Sequence, residues 1–315
     1  MNRIDKRRRK RNKKIILSLI VIFLMLIVLP TSYFAYDYFK SYNAAVKEAP
    51  KPAKKTVFKG KPAQKDEKVK ILLIGVDTRV EGEASNSDTM MVAQYDTKTK
   101  SAKIASLMRD LYVDIPGKQK KYKLNAAYMM GGGKDGAELL RQTIQQNFGI
   151  DVNEYAIIDF KGFSKAIDQA FPDGIEINVE HRMSKGIGMT LKPGLQRLHG
   201  KELLAYSRFR KDSQNDFGRV KRQQEVIEAI TKEMSSFAGA TKLPGMVGTI
   251  QPYIETSIEP TRVISLMTSY MMGDHQLEKL TIPLADSYEG VRIDKQDVLQ
   301  FDEEKNREAL QQFFE

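Results

Sequence analysis

The run VKILLIGV, Val69 to Val76, is apolar apart from Lys70. Apolar character sustained over a strand's length, without alternation, marks a strand covered on both faces, and such strands belong to sheets flanked by helices. Working outward, Met90–Tyr95 and Ala102–Met108 read as two further strands, joined by the polar turn Asp96-Thr97-Lys98-Thr99-Lys100. Asp135–Phe148 has the spacing of an amphipathic helix and is closed by Gly149. Tyr155–Phe160 reads as a strand followed by a helix to about Phe171. A helix follows Asp216, another runs from about Pro260 to Met272, then come the strand Leu277–Ile282 and a last helix near the C-terminus. Strands interleaved with helices predict an α/β domain, an α/β/α layered mixed sheet over residues 69–315. That length can bury one sizeable core. No internal repeat or heptad run is present, and Gly131-Gly132-Gly133 before Lys134 lacks P-loop spacing and reads as a flexible loop.

Upstream, the chain changes character twice. Residues 1–14 hold nine Lys or Arg against Asp5, and Ile15 to Tyr36 then runs 22 residues without a charge. A helix of that length spans a bilayer core of about 30 Å. The basic cluster retains residues 1–14 in the cytoplasm, and Tyr33, Phe34, Tyr36, Tyr38 and Phe39 form an aromatic girdle at the far interface. No small-x-small cleavage site follows, so residues 15–36 are expected to remain as a signal-anchor. The C-terminal domain then lies outside the cell membrane. Residues 37–68, with KEAPKPAKK and KGKPAQKDEK, have the composition of an extended, partly polyproline linker. Its lysines suit anionic headgroups and wall polymers. The absence of cysteine excludes disulfides, thiol catalysis and Cys-ligated metals.

The net charge of +11 is misleading until it is divided along the chain. Residues 1–14 carry +8, residues 37–70 carry +6, and residues 71–315 carry −3. Basicity therefore belongs to the membrane flanks. The domain lacks the basic footprint of a nucleic-acid binder, and no nucleic-acid partner is expected.

Within the domain, arginines concentrate. Ser207 to Gln224 reads SRFRKDSQNDFGRVKRQQ and holds four of the twelve arginines beyond residue 70: Arg208, Arg210, Arg219 and Arg222. In extended backbone Arg208 and Arg210 point the same way. Asp216 can cap a helix starting near Phe217, on which Arg219, Arg222 and Gln223 share a face continued by Val226 and Ile230. A face that turns apolar should turn inward, and inward guanidinium groups need anions, phosphate above all. A solvated surface helix is the ordinary alternative. Asp77 and Arg79 follow the first strand, Asp88 precedes the second, and Arg109 and Asp110 end the third. Strand edges are where α/β folds place ligand groups. Asp77 and Asp88 offer hard oxygen ligands for Mg²⁺, or Mn²⁺ in its place. Taken singly, each has a structural alternative as a turn cap or a local ion pair.

Six blocks in order, LLIGVDTR (Leu72–Arg79), SDTMM (Ser87–Met91), SLMRD (Ser106–Asp110), KLNAAY (Lys123–Tyr128), GLQRLHGKELLAYSRFR (Gly194–Arg210) and DFGRVKRQQ (Asp216–Gln224), resemble the LytR-CpsA-Psr family. The short basic tail and single span are similar to that family too. The resemblance implies an LCP-like fold. It implies a phosphotransferase that moves an anionic glycopolymer, of wall teichoic acid or capsule type, from an undecaprenyl-pyrophosphate carrier to the C6 hydroxyl of peptidoglycan N-acetylmuramic acid. It places Mg²⁺ on Asp77 and Asp88 and the pyrophosphate on Arg79, Arg109, Arg208, Arg210, Arg219 and Gln223. Lys123, Asn125 and Arg222 match motif positions whose roles it defines less closely; Lys123 and Arg222 are grouped here with the pyrophosphate contacts.

The chemistry is consistent with those residue types. Attack of a sugar hydroxyl on phosphorus needs charge neutralisation and in-line placement more than covalent assistance. Arg109, Arg208 and Arg210 are the expected catalytic cations, and Asp110 or a metal-bound carboxylate the expected proton acceptor. His181, His199 and His275 stand in contexts that suggest structural or surface roles. A polyprenyl chain needs an apolar trough, for which the helix faces at Leu139–Phe148 and Phe160–Phe171 are candidates, each equally explained as ordinary core. A polyprenyl-pyrophosphate hydrolase and a non-enzymatic envelope regulator are the alternatives.

Overall fold

The computed structural model describes residue 23 and residues 31–49, 56–61, 63, 68–77, 87–273 and 276–315, with 237–241 described by backbone alone. Six strands form a mixed sheet in the order β10-β3-β2-β1-β6-β9: β1 (Val69–Val76), β2 (Ser87–Tyr95), β3 (Ala102–Leu107), β6 (Glu154–Asp159), β9 (Ile254–Thr256) and β10 (Leu277–Ile282). β1 is antiparallel to β2 and parallel to β6, β2 is antiparallel to β3, and β10 is parallel to β3. Consequently the C-terminal ends of β1, β3 and β6 and the N-terminal end of β2 meet along one edge. The α/β/α mixed sheet expected from VKILLIGV is the observed architecture.

The two faces of that strand have different fates. Leu72, Ile74 and Val76 are buried in the main core with Leu140 and Ile144 of α3 (Gly132–Phe148) and Leu310 and Phe314 of α9 (Glu303–Phe314). The short α2 (Leu124–Met130) joins this layer. Opposite lie α4 (Phe160–Ala170), α5 (Gly200–Arg208), α6 (Asn215–Ser235), α7 (Phe237–Ile250) and α8 (Pro260–Tyr270), with a second core around Ile167, Leu203, Val226 and Val247. Ile71 and Leu73 face this layer and stand over a cavity. Apart from Lys70 the run is apolar because one face meets a filled core and the other an open apolar trough.

Several expectations change. Three hairpins, β4 (Tyr112–Val113) with β5 (Tyr122–Lys123), β7 (Ile175–Val179) with β8 (Gly194–Leu198), and β11 (Tyr288–Ile293) with β12 (Gln296–Phe301), were not among the expected elements, nor were α5 and α7. Residues 37–68 are not a plain extended linker. Residues 31–46 are helical (α1), and Ala45 is buried with Ala166 and Tyr253. Further on, Thr56 and Ala63 are buried, Val57 N donates to Lys134 O (2.8 Å), and Lys59 N donates to Glu138 Oε2 (2.8 Å). Unmet backbone donors and a half-apolar helix face found partners on the domain, which composition alone does not reveal. Among the described residues no helix is long and apolar enough to cross a membrane. The basic tail 1–14 and most of the expected span 15–36 lie outside the described residues.

Candidate functional site

A polar cavity of about 380 Å³ opens at the shared sheet edge. Asp77 leaves β1, Asp88 opens β2, Arg109 follows β3, and Phe160 begins α4 directly after β6. The antiparallel β1–β2 and β2–β3 pairings bring the first three together although they are far apart in sequence. Arg208, Arg210 and Lys211 come from the end of α5 and the segment after it, Arg219 and Gln223 from α6, and Lys185 and Gly186 from the loop between β7 and β8. Six cationic side chains therefore face two carboxylates.

Each carboxylate holds an arginine ready. Arg109 Nη1 donates to Asp88 Oδ1 (2.5 Å), and Arg208 Nη2 lies 3.6 Å from Asp77 Oδ2. Asp216 is the hub: its carboxylate accepts from Arg219 Nη2 (2.7 Å) and lies 3.4 Å from Arg210 Nη1 and 3.7 Å from Arg109 Nε. Sequence reading made Asp216 a helix cap. Instead α6 starts at Asn215 with Gln214 as its cap, so Asp216 sits in the first turn and its side chain is released to the arginines. Arg208 is likewise not in extended backbone; it is the last residue of α5, and the chain becomes extended only at Phe209. Arg208 and Arg210 still reach the same cavity.

The site's electrostatics are unbalanced towards positive charge. Burial pushes the Arg219 guanidinium down to about 10, a shift deepened by Arg109 and only partly offset by Asp216. Burial also acts to lower Arg109, but Asp216, Asp88 and Asp110 together raise it. The Nε atoms of Arg109 and Arg219 are buried with no hydrogen-bond partner. Donors left unsatisfied in a cationic cavity favour an anion that can accept several hydrogen bonds at once.

Four of the expected residues stand outside this cavity. Arg222 is buried, but Nη1 binds Asp212 Oδ2 (2.7 Å) and Nη2 binds Phe209 O (2.6 Å). It holds in place the segment bearing Arg210 and Lys211 rather than sharing the face of Arg219 and Gln223. Lys123 Nζ donates to Asp110 Oδ1 (2.7 Å), and Asp110 Oδ2 lies 3.5 Å from Arg109 Nε; neither Lys123 nor Asp110 lines the cavity. Asn125 is buried in α2, its backbone N donating to Arg109 O. Arg79 and His275 lie outside the described residues. His181 packs against Phe209, its Nε2 3.8 Å from Asp212, and His199 caps α5; both occupy the structural roles expected of them.

Asp77 and Asp88 are the two carboxylates that line the cavity. Among the described residues no group of three or more His, Cys, Asp or Glu side chains forms a ready cage. Two carboxylates on one cationic cavity are a donor set that fits Mg²⁺, which binds through one or two carboxylates and completes its shell with other oxygen ligands and water.

A second, apolar cavity of about 480 Å³ adjoins the first. Phe160, Arg208 and Gln223 line both, and the Arg208 guanidinium sits 4.5 Å over the Phe160 ring. Ile71, Leu73 and Ile158 of the sheet form one wall, with Ile167 of α4, Ile230 of α6 and Val263 of α8 opposite. The Phe160–Phe171 face thus borders a trough. The Leu139–Phe148 face does not: α3 packs on the other side of the sheet, where Leu140, Ile144 and Phe148 are core. Lys185 and Lys211 were missed by sequence reading, because exposed loop lysines carry no local signal of the cavity they meet, and Phe160, expected only at the trough, lines the polar cavity as well.

The LytR_cpsA_psr family model matches residues 34–314. The regulatory protein MsrR of Staphylococcus aureus (strain COL) is 43% identical over 280 residues, covering 87% of this chain and 84% of that protein. The polyisoprenyl-teichoic acid–peptidoglycan teichoic acid transferase TagU of Bacillus mycoides (strain KBAB4) is 29% identical over 263 residues, covering 82% and 84%. The crystal structure of B. subtilis TagV aligns with a TM-score of 0.68 at 28% identity, covering 80% of this chain and 98% of that one.

Proposed function

The chain belongs to the LytR_cpsA_psr family, and from that premise we propose that it is a glycopolymer–peptidoglycan phosphotransferase. Its donor on this reading is an anionic glycopolymer carried on undecaprenyl pyrophosphate, and its acceptor the C6 hydroxyl of peptidoglycan N-acetylmuramic acid. The observation that carries the reading is the junction of the two cavities, one cationic and one apolar, at Phe160, Arg208 and Gln223. A polyisoprenyl pyrophosphate has that division of chemistry, a diphosphate joined to a long hydrocarbon. The transferase named for the TagU relative supports the same assignment.

In this reading Arg109, Arg208, Arg210 and Arg219 bind the diphosphate and spread the charge that develops as the polyisoprenyl phosphate departs. Lys185 and Lys211 extend the cationic wall. Asp77 and Asp88 would hold Mg²⁺, which when bound supplies further charge neutralisation at the phosphate oxygens. Asp216 orients Arg219, Arg210 and Arg109 before substrate arrives. Asp110 is held by Lys123 beside Arg109 and away from the cavity wall, so it acts on Arg109's orientation; the proton acceptor falls to Asp77 or Asp88. The same reading has the protein at the cell membrane, its N-terminus cytoplasmic and its domain outside, as the basic tail before the uncharged run Ile15–Tyr36 suggests.

The test is transfer of polymer from a polyisoprenyl-pyrophosphate donor to peptidoglycan fragments by the purified chain with Mg²⁺. Arg109→Ala is expected to lower turnover by about 10²–10³-fold with the fold retained. Near-normal turnover in that variant would remove the site assignment. A rate undiminished without acceptor would mark a hydrolase instead.

A further inference from the structure

Helix α1 changes its relation to the domain within a single turn. Residues 31–36 are exposed on every side, whereas from 37 onward one stripe is covered: Asp37, Tyr38, Ser41, Tyr42 and Ala45 are half-buried or buried. The stripe recurs at i, i+4 and i+8, which is one helix face docked against a neighbour. Its seat is α7. A Cβ on Gly248 would collide with the Tyr38 carbonyl oxygen, and one on Gly245 with the Asp37 carboxylate, so the two glycines form a notch into which α1 fits. The Tyr38 hydroxyl donates to Gln251 Oε1, just past α7, and Lys165 Nζ and Gln169 Nε2 of α4 hold Glu48 at 3.1 and 3.0 Å. This is the contact of a folded element.

The protruding part is aromatic. Tyr33, Phe34 and Tyr36 are 60, 45 and 64% exposed, and Phe39 is 59% exposed on the undocked side. Aromatic side chains exposed around a whole helix have no place in water but fit the headgroup layer of a bilayer. Tyr38, expected among them, belongs to the dock instead. Gln251 joins the two features, because it receives the Tyr38 hydroxyl and also lines the apolar cavity. At about 1.5 Å of rise per residue, Tyr36 and Tyr38 are separated by only about 3 Å along the helix.

We infer that α1 is a rigid strut between a lipid bilayer and the wall of the apolar cavity. It seats the domain on the bilayer surface so that a polyisoprenyl chain passes from the lipid phase into the cavity without crossing water. The inference rests on the proposed polyisoprenyl donor for what enters the cavity, and on α1 alone for where the bilayer lies. A flexible tether would leave the domain's height and orientation free; a docked helix does not.

Two measurements on the full chain in phosphatidylglycerol vesicles separate these parts. The sequence has no tryptophan, so Tyr36→Trp gives a single reporter. Its fluorescence is expected to be quenched by bromine-labelled lipids; an unquenched signal overturns the bilayer contact whatever the substrate. The second variant carries ten Gly/Ser residues inserted between Tyr36 and Asp37, which leaves the dock intact but loosens the strut. Uptake of vesicle-embedded undecaprenyl monophosphate is expected to fall about tenfold as fixed proximity is lost, while uptake of the same lipid from detergent is unchanged. Equal uptake from vesicles by the variant and the natural chain, or an equal fall in both presentations, overturns the strut. No uptake by the natural chain in either presentation, with Tyr36→Trp still quenched, overturns the polyisoprenyl reading and the loading step while leaving the bilayer contact standing.

Discussion

The arginines of Ser207–Gln224 illustrate how far residue type decides role. Arg219 and Arg222 are equally buried, three residues apart on one helix, yet one lines the cavity and the other does not. The difference is the partner each finds. Arg219 shares Asp216 with Arg109 and Arg210 and faces the cavity, whereas Arg222 turns both Nη groups away from it, to Asp212 and to the Phe209 carbonyl. Removing one member of a buried pair leaves the other charge stranded. Arg222→Leu is therefore expected to cost about 3–5 kcal/mol in urea unfolding, and Arg222→Leu with Asp212→Leu to recover much of it. A loss of activity in the single variant without loss of stability would show that Arg222 touches substrate after all. Arginine count was legible in the sequence, but which guanidinium groups share a carboxylate and which hold one apart from the cavity was not, because the partners are set by folding.

At the scale of elements, close packing between α4 and α5 governs the site. Gly200 opens α5 against α4 with no room for a side chain, since a Cβ there would run into the Ser164 carbonyl. α4 carries Phe160 at its start and α5 carries Arg208 at its end, so the helix contact sets the cation–π pair at the cavity junction. Gly200→Ala is expected to destabilise by about 1–3 kcal/mol through overpacking and to weaken binding of undecaprenyl monophosphate in a fluorescence titration. Binding at full strength in a destabilised variant would uncouple the helix contact from the junction. The strands Val69–Val76 and Leu277–Ile282 appear where periodicity put them, as does the last helix. The strand Ile175–Val179 alternates apolar and polar residues strictly and was open to reading, whereas its partner Gly194–Leu198 and the hairpin Tyr288–Phe301 lack a regular alternation that separates them from loops.

Over the whole molecule, the cavity beneath the sheet is a departure from close packing. An open trough of about 480 Å³ leaves Ile71, Leu73, Ile158 and Ile230 half-buried and forgoes contacts that would stabilise the fold. Filling it should therefore help the fold and harm the ligand. Ile158→Trp is expected to raise stability by about 0.5–2 kcal/mol while abolishing uptake of undecaprenyl monophosphate. If uptake persists, the lipid lies elsewhere.

The layered α/β class, the confinement of basicity to the N-terminal flank, and the blocks Leu72–Arg79 through Asp216–Gln224 that mark the family were all readable from the amino-acid order. These are properties of local pattern: periodicity, charge and order along the chain. Tertiary structure alone decided that Asp77, Asp88 and Arg109 meet at one sheet edge, that Asp216 joins them, and that Arg222 and Lys123 do not. It also decided that one face of VKILLIGV borders an open trough and that α1 is docked rather than free. Each of these depends on which distant side chain completes a charge or fills a space. That is settled only when strands pair and helices pack, because neither a missing counter-ion nor a missing contact leaves any mark on neighbouring residues in the chain.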